Sequence, residues 1–163
     1  MKNPSHGFTL IEIVVVLAVV AVLATIAVPS IQGKLVRDQI VEAMKIADIA
    51  KPPISTMWSL THQLPADNAA AGLPVADKIV GNFVSSVSVE AGAIHVTFGN
   101  RANTALQGKL LTLRPAIVED APVVPPAWVF GHAEAVEKMT AKGADRTTVP
   151  DRFLPFNCVA KKP

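Results

Sequence analysis

The sequence predicts an α+β chain: one long N-terminal helix packed on a four-stranded antiparallel sheet. Three observations predict it. Residues 8–28, FTLIEIVVVLAVVAVLATIAV, carry a single charge, Glu12. Apolar residues then recur at three- and four-residue intervals as far as Ala50, the period of a helix with one buried face. After residue 82 come four short β-branched or aromatic runs bounded by turn residues, the pattern of strands. The 163 residues suit one domain with an appendage. Half are apolar and 17% are charged, which excludes a disordered chain.

The apolar run 8–28 would make a helix about 31 Å long, enough to cross a bilayer. Val and Ile are weak helix formers in water, but in lipid the backbone must satisfy its own hydrogen bonds, so the helix is imposed. Two plain readings are a secretory signal peptide, with Lys2 as its basic region and Val22-Leu23-Ala24 as its cleavage site, and a simple anchor. Neither accounts for Glu12. A carboxylate at mid-membrane depth costs about 2.5–3.5 kcal/mol, and a helix N-terminus returns only about 0.3–1 kcal/mol of that. Lys2 precedes the run while Lys34 and Arg37 follow it, so charge leaves the orientation open.

Gly7-Phe8-Thr9-Leu10-Ile11-Glu12, behind a short polar leader with Lys2, resembles the class III signal of type IV pilins and pilin-like proteins. The resemblance implies a cut by prepilin peptidase between Gly7 and Phe8, and methylation of the new Phe8 amine. It implies that Glu12 of an incoming subunit pairs with the Phe8 amine of its neighbour in a growing filament. Two unit charges 4 Å apart are worth about 4 kcal/mol at an effective dielectric of 20, before desolvation. Such a pair sets register and extraction, while apolar helix-to-helix packing supplies bulk cohesion.

Pro29 follows the apolar run and either kinks the helix or ends the span; in the family a proline here lies within a long curved helix. Ile31, Leu35, Val36, Ile40, Ala43, Met44, Ala47 and Ala50 form one stripe, with Lys34, Arg37, Asp38, Glu42, Lys45 and Asp48 on the other faces. Pro52-Pro53 breaks or kinks this segment, and a short helix continues to about His62. The expected organisation is a cleaved leader 1–7, a transmembrane and filament-core helix 8–29, an amphipathic half 30–62, and a globular head 63–163.

Within the head, Gln63 to Asn68 reads as a turn and Ala69 to Asp77 as a loop. The strands are expected at Phe83–Val89, Ala93–Phe98, Lys109–Leu113 and Ala127–Phe130, with hairpin loops at Glu90-Ala91-Gly92 and Gly99-Asn100. The proline-rich stretch Glu119 to Pro126 is expected to be an exposed loop. The head is too small for a deep core of its own, so the amphipathic half-helix should complete it.

The resemblance continues here. LPADNAAAGL at 64–73, GKLLTLRP at 108–115, Trp128-Val129-Phe130-Gly131 and the ending from Phe153-Leu154-Pro155 to Cys158 look like head segments of betaproteobacterial-type pilins, major or minor. One departure stands out. The family closes its C-terminal loop with a disulfide; Cys158 matches the second cysteine, but Phe130 occupies the position of the first. Cys158 is the chain's one cysteine, so loop 131–158 has no intrachain disulfide, worth roughly 2–4 kcal/mol in the chain-entropy picture. Phe130 packing over the loop, an intersubunit bond at Cys158 and a reduced thiol are the alternatives.

Other chemistry is scarce. His62, His95 and His132 have no ligand-spaced partners, and the grouping of His132, Glu134 and Glu137 reads as a solvated face rather than a metal site. There is no phosphate loop, nucleophile elbow or N-glycosylation sequon, and no basic cluster of the kind a nucleic-acid surface needs. Neither catalysis nor a cofactor is expected. The resemblance implies a homopolymer of subunits, held first in the inner membrane, handled by prepilin peptidase and an inner-membrane assembly platform, and displayed as an extracellular pilus. Motility, adhesion to surfaces and DNA uptake are the functions it implies. A type II secretion pseudopilin and an exported or anchored binding domain are the alternatives.

Overall fold

The computed structural model describes residues 7–160, with the side chains of 26–32 outside the described set. Leader residues 1–6, and with them Lys2 and His6, therefore lie outside it. The chain divides into two units, Met1–Leu35 and Val36–Pro163. Helix α1 runs Leu10–Ala47 and thus contributes to both. The backbone of α1 is helical through position 29, so the segment does not end at Pro29.

In the second unit α1 leads through a single 3₁₀ turn, Asp48–Ala50, into α2, Lys51–Thr61. Pro52 and Pro53 stand in the first turn of α2. There the missing N–H groups cost nothing, because the first donors of a helix have no intrahelical acceptor. The proline pair thus starts a helix. His62 ends it in the left-handed conformation, its N–H donating to the Trp58 carbonyl at 2.9 Å.

The sheet is antiparallel in the order β1-β2-β3-β4, with β1 Val84–Glu90, β2 Ala93–Phe98, β3 Leu110–Ile117 and β4 Ala127–Phe130. Bounds for β2 and β4 match the sequence expectation. β3 runs four residues beyond the expected Leu113. The strand continues through Pro115, and because pairing with β2 ends at Leu113 the proline leaves no gap in that ladder. The Pro115 carbonyl instead accepts from Lys142 N–H at 2.8 Å. Ala116 and Ile117 then pair with β5, Thr140–Ala141, a two-residue strand not anticipated from the sequence. The β1–β2 connection is the expected tight hairpin. Ala91 and Gly92 both have positive φ, +48° and +79°, the type I′ geometry that matches strand twist. Gly99-Asn100, expected as a second hairpin loop, only opens a longer excursion to Lys109.

Buried Val36, Ile40, Ala43, Ala47, Ala50 and Ile54 join Val84, Val87, Ile94, Val96, Phe98, Leu111 and Leu113 in one core. The amphipathic half of α1 therefore completes the head, as its stripe predicted. Among the described residues of the stripe Leu35 is the exception at 54% exposed; the Ile31 side chain lies outside the described set. Two polar contacts tie this helix down within the unit: Asn103 N–H donates to Gln39 Oε1 at 2.8 Å, and Arg37 Nη2 to the Arg152 carbonyl at 3.0 Å. Loop 65–74 covers the free edge of β1, whose unpaired groups would otherwise invite another strand. Asn68 donates to Pro74 and Val87 carbonyls and accepts from Val89 N–H at 2.6 Å.

Candidate assembly segment and the C-terminal loop

Gly7, Phe8 and Thr9 precede α1 in irregular backbone. Thr9 caps the helix: its Oγ1 accepts from Glu12 N–H at 3.3 Å, and its carbonyl from Ile13 N–H at 3.3 Å. A threonine followed three residues later by glutamate is the sequence pattern of a capping box. Glu12 lies in the first turn, where the helix dipole favours a carboxylate. Phe8 is 79% exposed. Nothing lies within 4 Å of where a Cβ on Gly7 would stand, and its φ is not positive. The fold itself therefore does not require glycine at this position.

Every described side chain from position 7 to 25 is exposed, and nearly all are apolar. Among the described residues no helix is long and apolar enough to cross a membrane. The described apolar part of α1 stops at Thr25, about 22 Å from Leu10 at helical rise. The remaining apolar residues, 26–28, fall where side chains are not described.

At the other end, Cys158 is free and wholly buried. Burial pushes its thiol up to about 11, so it stays protonated and a poor nucleophile at neutral pH. Phe130 is half-buried against the core, with Lys51 Nζ 4.8 Å from its ring centre. Gly131 follows with φ +56°, and a Cβ there would meet the Cys158 carbonyl at 2.7 Å. That close approach lets His132 N–H donate to the Cys158 carbonyl at 2.9 Å. The two chain segments a disulfide would join are thus held side by side through backbone.

The rest of loop 131–158 is sewn onto the outer face of β3. Thr147 Oγ1 and Thr148 Oγ1 accept from the N–H groups of Thr112 and Leu110, at 3.1 and 2.8 Å. Thr112 Oγ1 accepts in turn from Arg146 N–H at 3.0 Å. Arg114, half-buried on the same face, donates through Nη2 to the carbonyls of Ala133 at 2.8 Å and Gly131 at 3.4 Å. His132 Nδ1 lies 2.7 Å from Asp145 Oδ2. Burial works to raise the Asp145 carboxyl, but hydrogen bonds from Thr147 and the His132 ring outweigh it and hold it below the usual value. Ion pairs of Arg146 with Glu90 at 2.6 Å and of Lys142 with Glu119 fasten the rim. Glu134 and Glu137 do not join His132, and among the described residues no cluster could hold a metal. Asp145 and the two threonines were missed from sequence because their partners lie over thirty residues away in β3 or thirteen away across a turn.

A helix that buries one half in a four-stranded antiparallel sheet, and leaves the other half apolar and uncovered, defines a filament-forming class with the type IV pilin fold. The comparisons agree. The profile of the pilin family, a bacterial filament family, matches residues 36–159. That of the prokaryotic N-terminal methylation motif matches residues 2–28. The chain is 33% identical to a type IV major pilin of Neisseria gonorrhoeae over 97% of its own length and 89% of the relative's. It is 39% identical to a fimbrial protein of Eikenella corrodens, covering 70% of this chain and 76% of that one. It is 30% identical to a type IV major fimbrial protein of Dichelobacter nodosus, covering 69% and 83%. The chain belongs to the pilin family, and its function is that of a structural subunit of the type IV pilus.

Proposed function

We propose that this subunit is made as a precursor, cut by prepilin peptidase between Gly7 and Phe8, methylated on the Phe8 amine, and polymerised through residues 8–29. The leader 1–7 is lost. The helix 8–29 holds the precursor in the inner membrane and then becomes the filament core, with Pro29 as a kink within it. The half-helix 30–62 and head 63–163 remain outside that core, and loop 131–158 faces outward on the head. An inner-membrane assembly platform extracts the subunit, and the product is an extracellular pilus serving motility, adhesion or DNA uptake.

The carrying observation is the exposure of every residue from Phe8 to Leu23, all apolar but Thr9 and Glu12, directly behind Gly7. Fully burying one Val, Leu or Ile side chain is worth about 1.5–3 kcal/mol, so a surface of this length demands lipid or other copies of itself. The open space around Gly7 is consistent with a glycine kept for an enzyme rather than for the fold. Glu12 is the one charge in the run; among the described residues its backbone N–H meets the Thr9 cap of its own helix, and its carboxylate is assigned to a neighbour's Phe8 amine.

The test is Glu12→Ala. Filaments counted by electron microscopy should be lost or severely reduced, while the precursor still accumulates in the membrane. Normal filaments from this variant would contradict the proposed pairing.

A further inference from the structure

The outer face of the sheet carries a second feature, apart from the apolar segment of the helix. β2 is buried on both faces: Ile94 and Val96 point into the core, and His95, only 3% exposed, lies on the other side beneath the C-terminal loop. His95 Nδ1 meets Thr112 Oγ1 at 3.0 Å. The same hydroxyl accepts Arg146 N–H, while Thr112 N–H is given to Thr147. Thr112 is therefore the point where the ring, β3 and the loop meet. His95 Nε2 is buried, and it has no hydrogen-bond partner among the described residues. Gly143, at φ +83°, brings the loop so close over β2 that a Cβ there would stand 2.5 Å from Ala93 Cβ.

We propose that His95 is the pin of an acid-sensitive latch: adding a proton to its buried ring releases segment 142–149 from the outer face of the sheet. Whichever nitrogen carries the proton in the neutral ring, the imidazolium carries one on both. Its Nε2–H then has no acceptor, and Thr112 Oγ1 must accept from the ring as well as from Arg146. Burying an unpaired charge is far costlier than burying a neutral donor. Lifting the loop lets water reach the ring.

The surrounding charges divide. Burial, the largest influence, and the Arg146 guanidinium both push the ring below its ordinary value of 6.5, while Glu90 and Asp145 pull it upward, and the net direction is down. From β1 the ring faces Ser88, with Glu90 at the strand end; from β3 it faces Thr112, with Arg114 two residues on; from the loop it faces Arg146, Asp145 and Thr147. Arg146 is itself paired to Glu90, and Asp145 stays ionised through the range in question. Because the closed loop lowers the ring's affinity for protons, the latch is fully shut above about 6.5. It weakens as pH falls from there to the ring's own lower value, then levels off.

The experiment is amide hydrogen exchange on the full chain in detergent micelles, corrected for intrinsic rates, between about pH 7.5 and 5. The amides of Arg146, Thr148 and Val149 report the latch, since they bond to Thr112 Oγ1 and the Leu110 carbonyl. Their open population should be flat above about 6.5, then rise by up to about tenfold per pH unit. His95→Gln should remove that rise, and His132→Gln should keep it. A flat profile in the natural chain, or an undiminished rise in His95→Gln, overturns the proposal. Should His95→Gln fail to fold, an NMR titration of the His95 ring in the natural chain decides. A midpoint below the ordinary histidine value supports the latch, and one at or above it overturns it.

Discussion

Val19 and Val80 are equally exposed, each at 54%, yet they sit in opposite surroundings. Around Val19 every described residue of the helix is exposed and apolar; around Val80 the chain folds back, with Ile79 buried and Gly81 N–H bonded to the Val84 carbonyl. A single exposed valine on a globular surface is ordinary, whereas a continuous apolar surface marks an interaction site. The first unit is therefore built to be completed by something else, and the second is complete in itself. Exposure has meaning only together with its neighbours.

Lysine substitutions separate the two regions most sharply. Val19→Lys places a charge near the middle of the apolar run, where insertion scales assign about 2.5–3.5 kcal/mol. It should abolish membrane retention and filaments, read by fractionation and electron microscopy. Val80→Lys should leave both intact and change head stability by less than about 0.5 kcal/mol.

Within the second unit the largest effect should come from the shared core. Ile40→Ala removes a fully buried side chain that α1 lends to the sheet, and should cost about 2–5 kcal/mol in chemical denaturation. An effect under about 1 kcal/mol would mean that the half-helix does not complete the head. Next comes the loop. Thr147→Val leaves the Thr112 N–H without its acceptor and should cost about 1–3 kcal/mol, with added proteolysis between Lys138 and Arg146. The smallest effect runs the other way. Ala91 holds φ +48° in the β1–β2 hairpin, a conformation costing a non-glycine residue roughly 1–2 kcal/mol and Asn rather less. Ala91→Asn should therefore stabilise the head by about 0.5–1 kcal/mol, seen as a raised Tm.

The two regions also differ in how much of them could be read from sequence. Gly7, Phe8 and Glu12 are separated by fixed short spacings, so their pattern survives without any fold around it. The stripe from Val36 to Ala50 and the strands Ala93–Phe98 and Ala127–Phe130 were legible because each follows a local period. The expected β3 stopped at Leu113, short of a proline that a ladder tolerates only because β2 pairing ends at Leu113. β5 has two residues and hence no period. The polar seam beneath the loop was invisible for another reason. Thr147 and Thr148 look like surface residues, and His95, Thr112 and Arg146 meet only through contacts between positions 17 to 34 residues apart in sequence. The absence of a second cysteine was plain, but the backbone and threonine contacts that hold the loop were not.

The central claim is that the chain is processed at Gly7 and works through the helix that cleavage frees. Intact mass and N-terminal sequencing of the protein recovered from native filaments test it most directly. The account predicts a chain that begins at Phe8 and carries one extra methyl group. A chain still beginning at Met1, or one cut near Thr25 or Val28 and lacking its apolar helix, would contradict it.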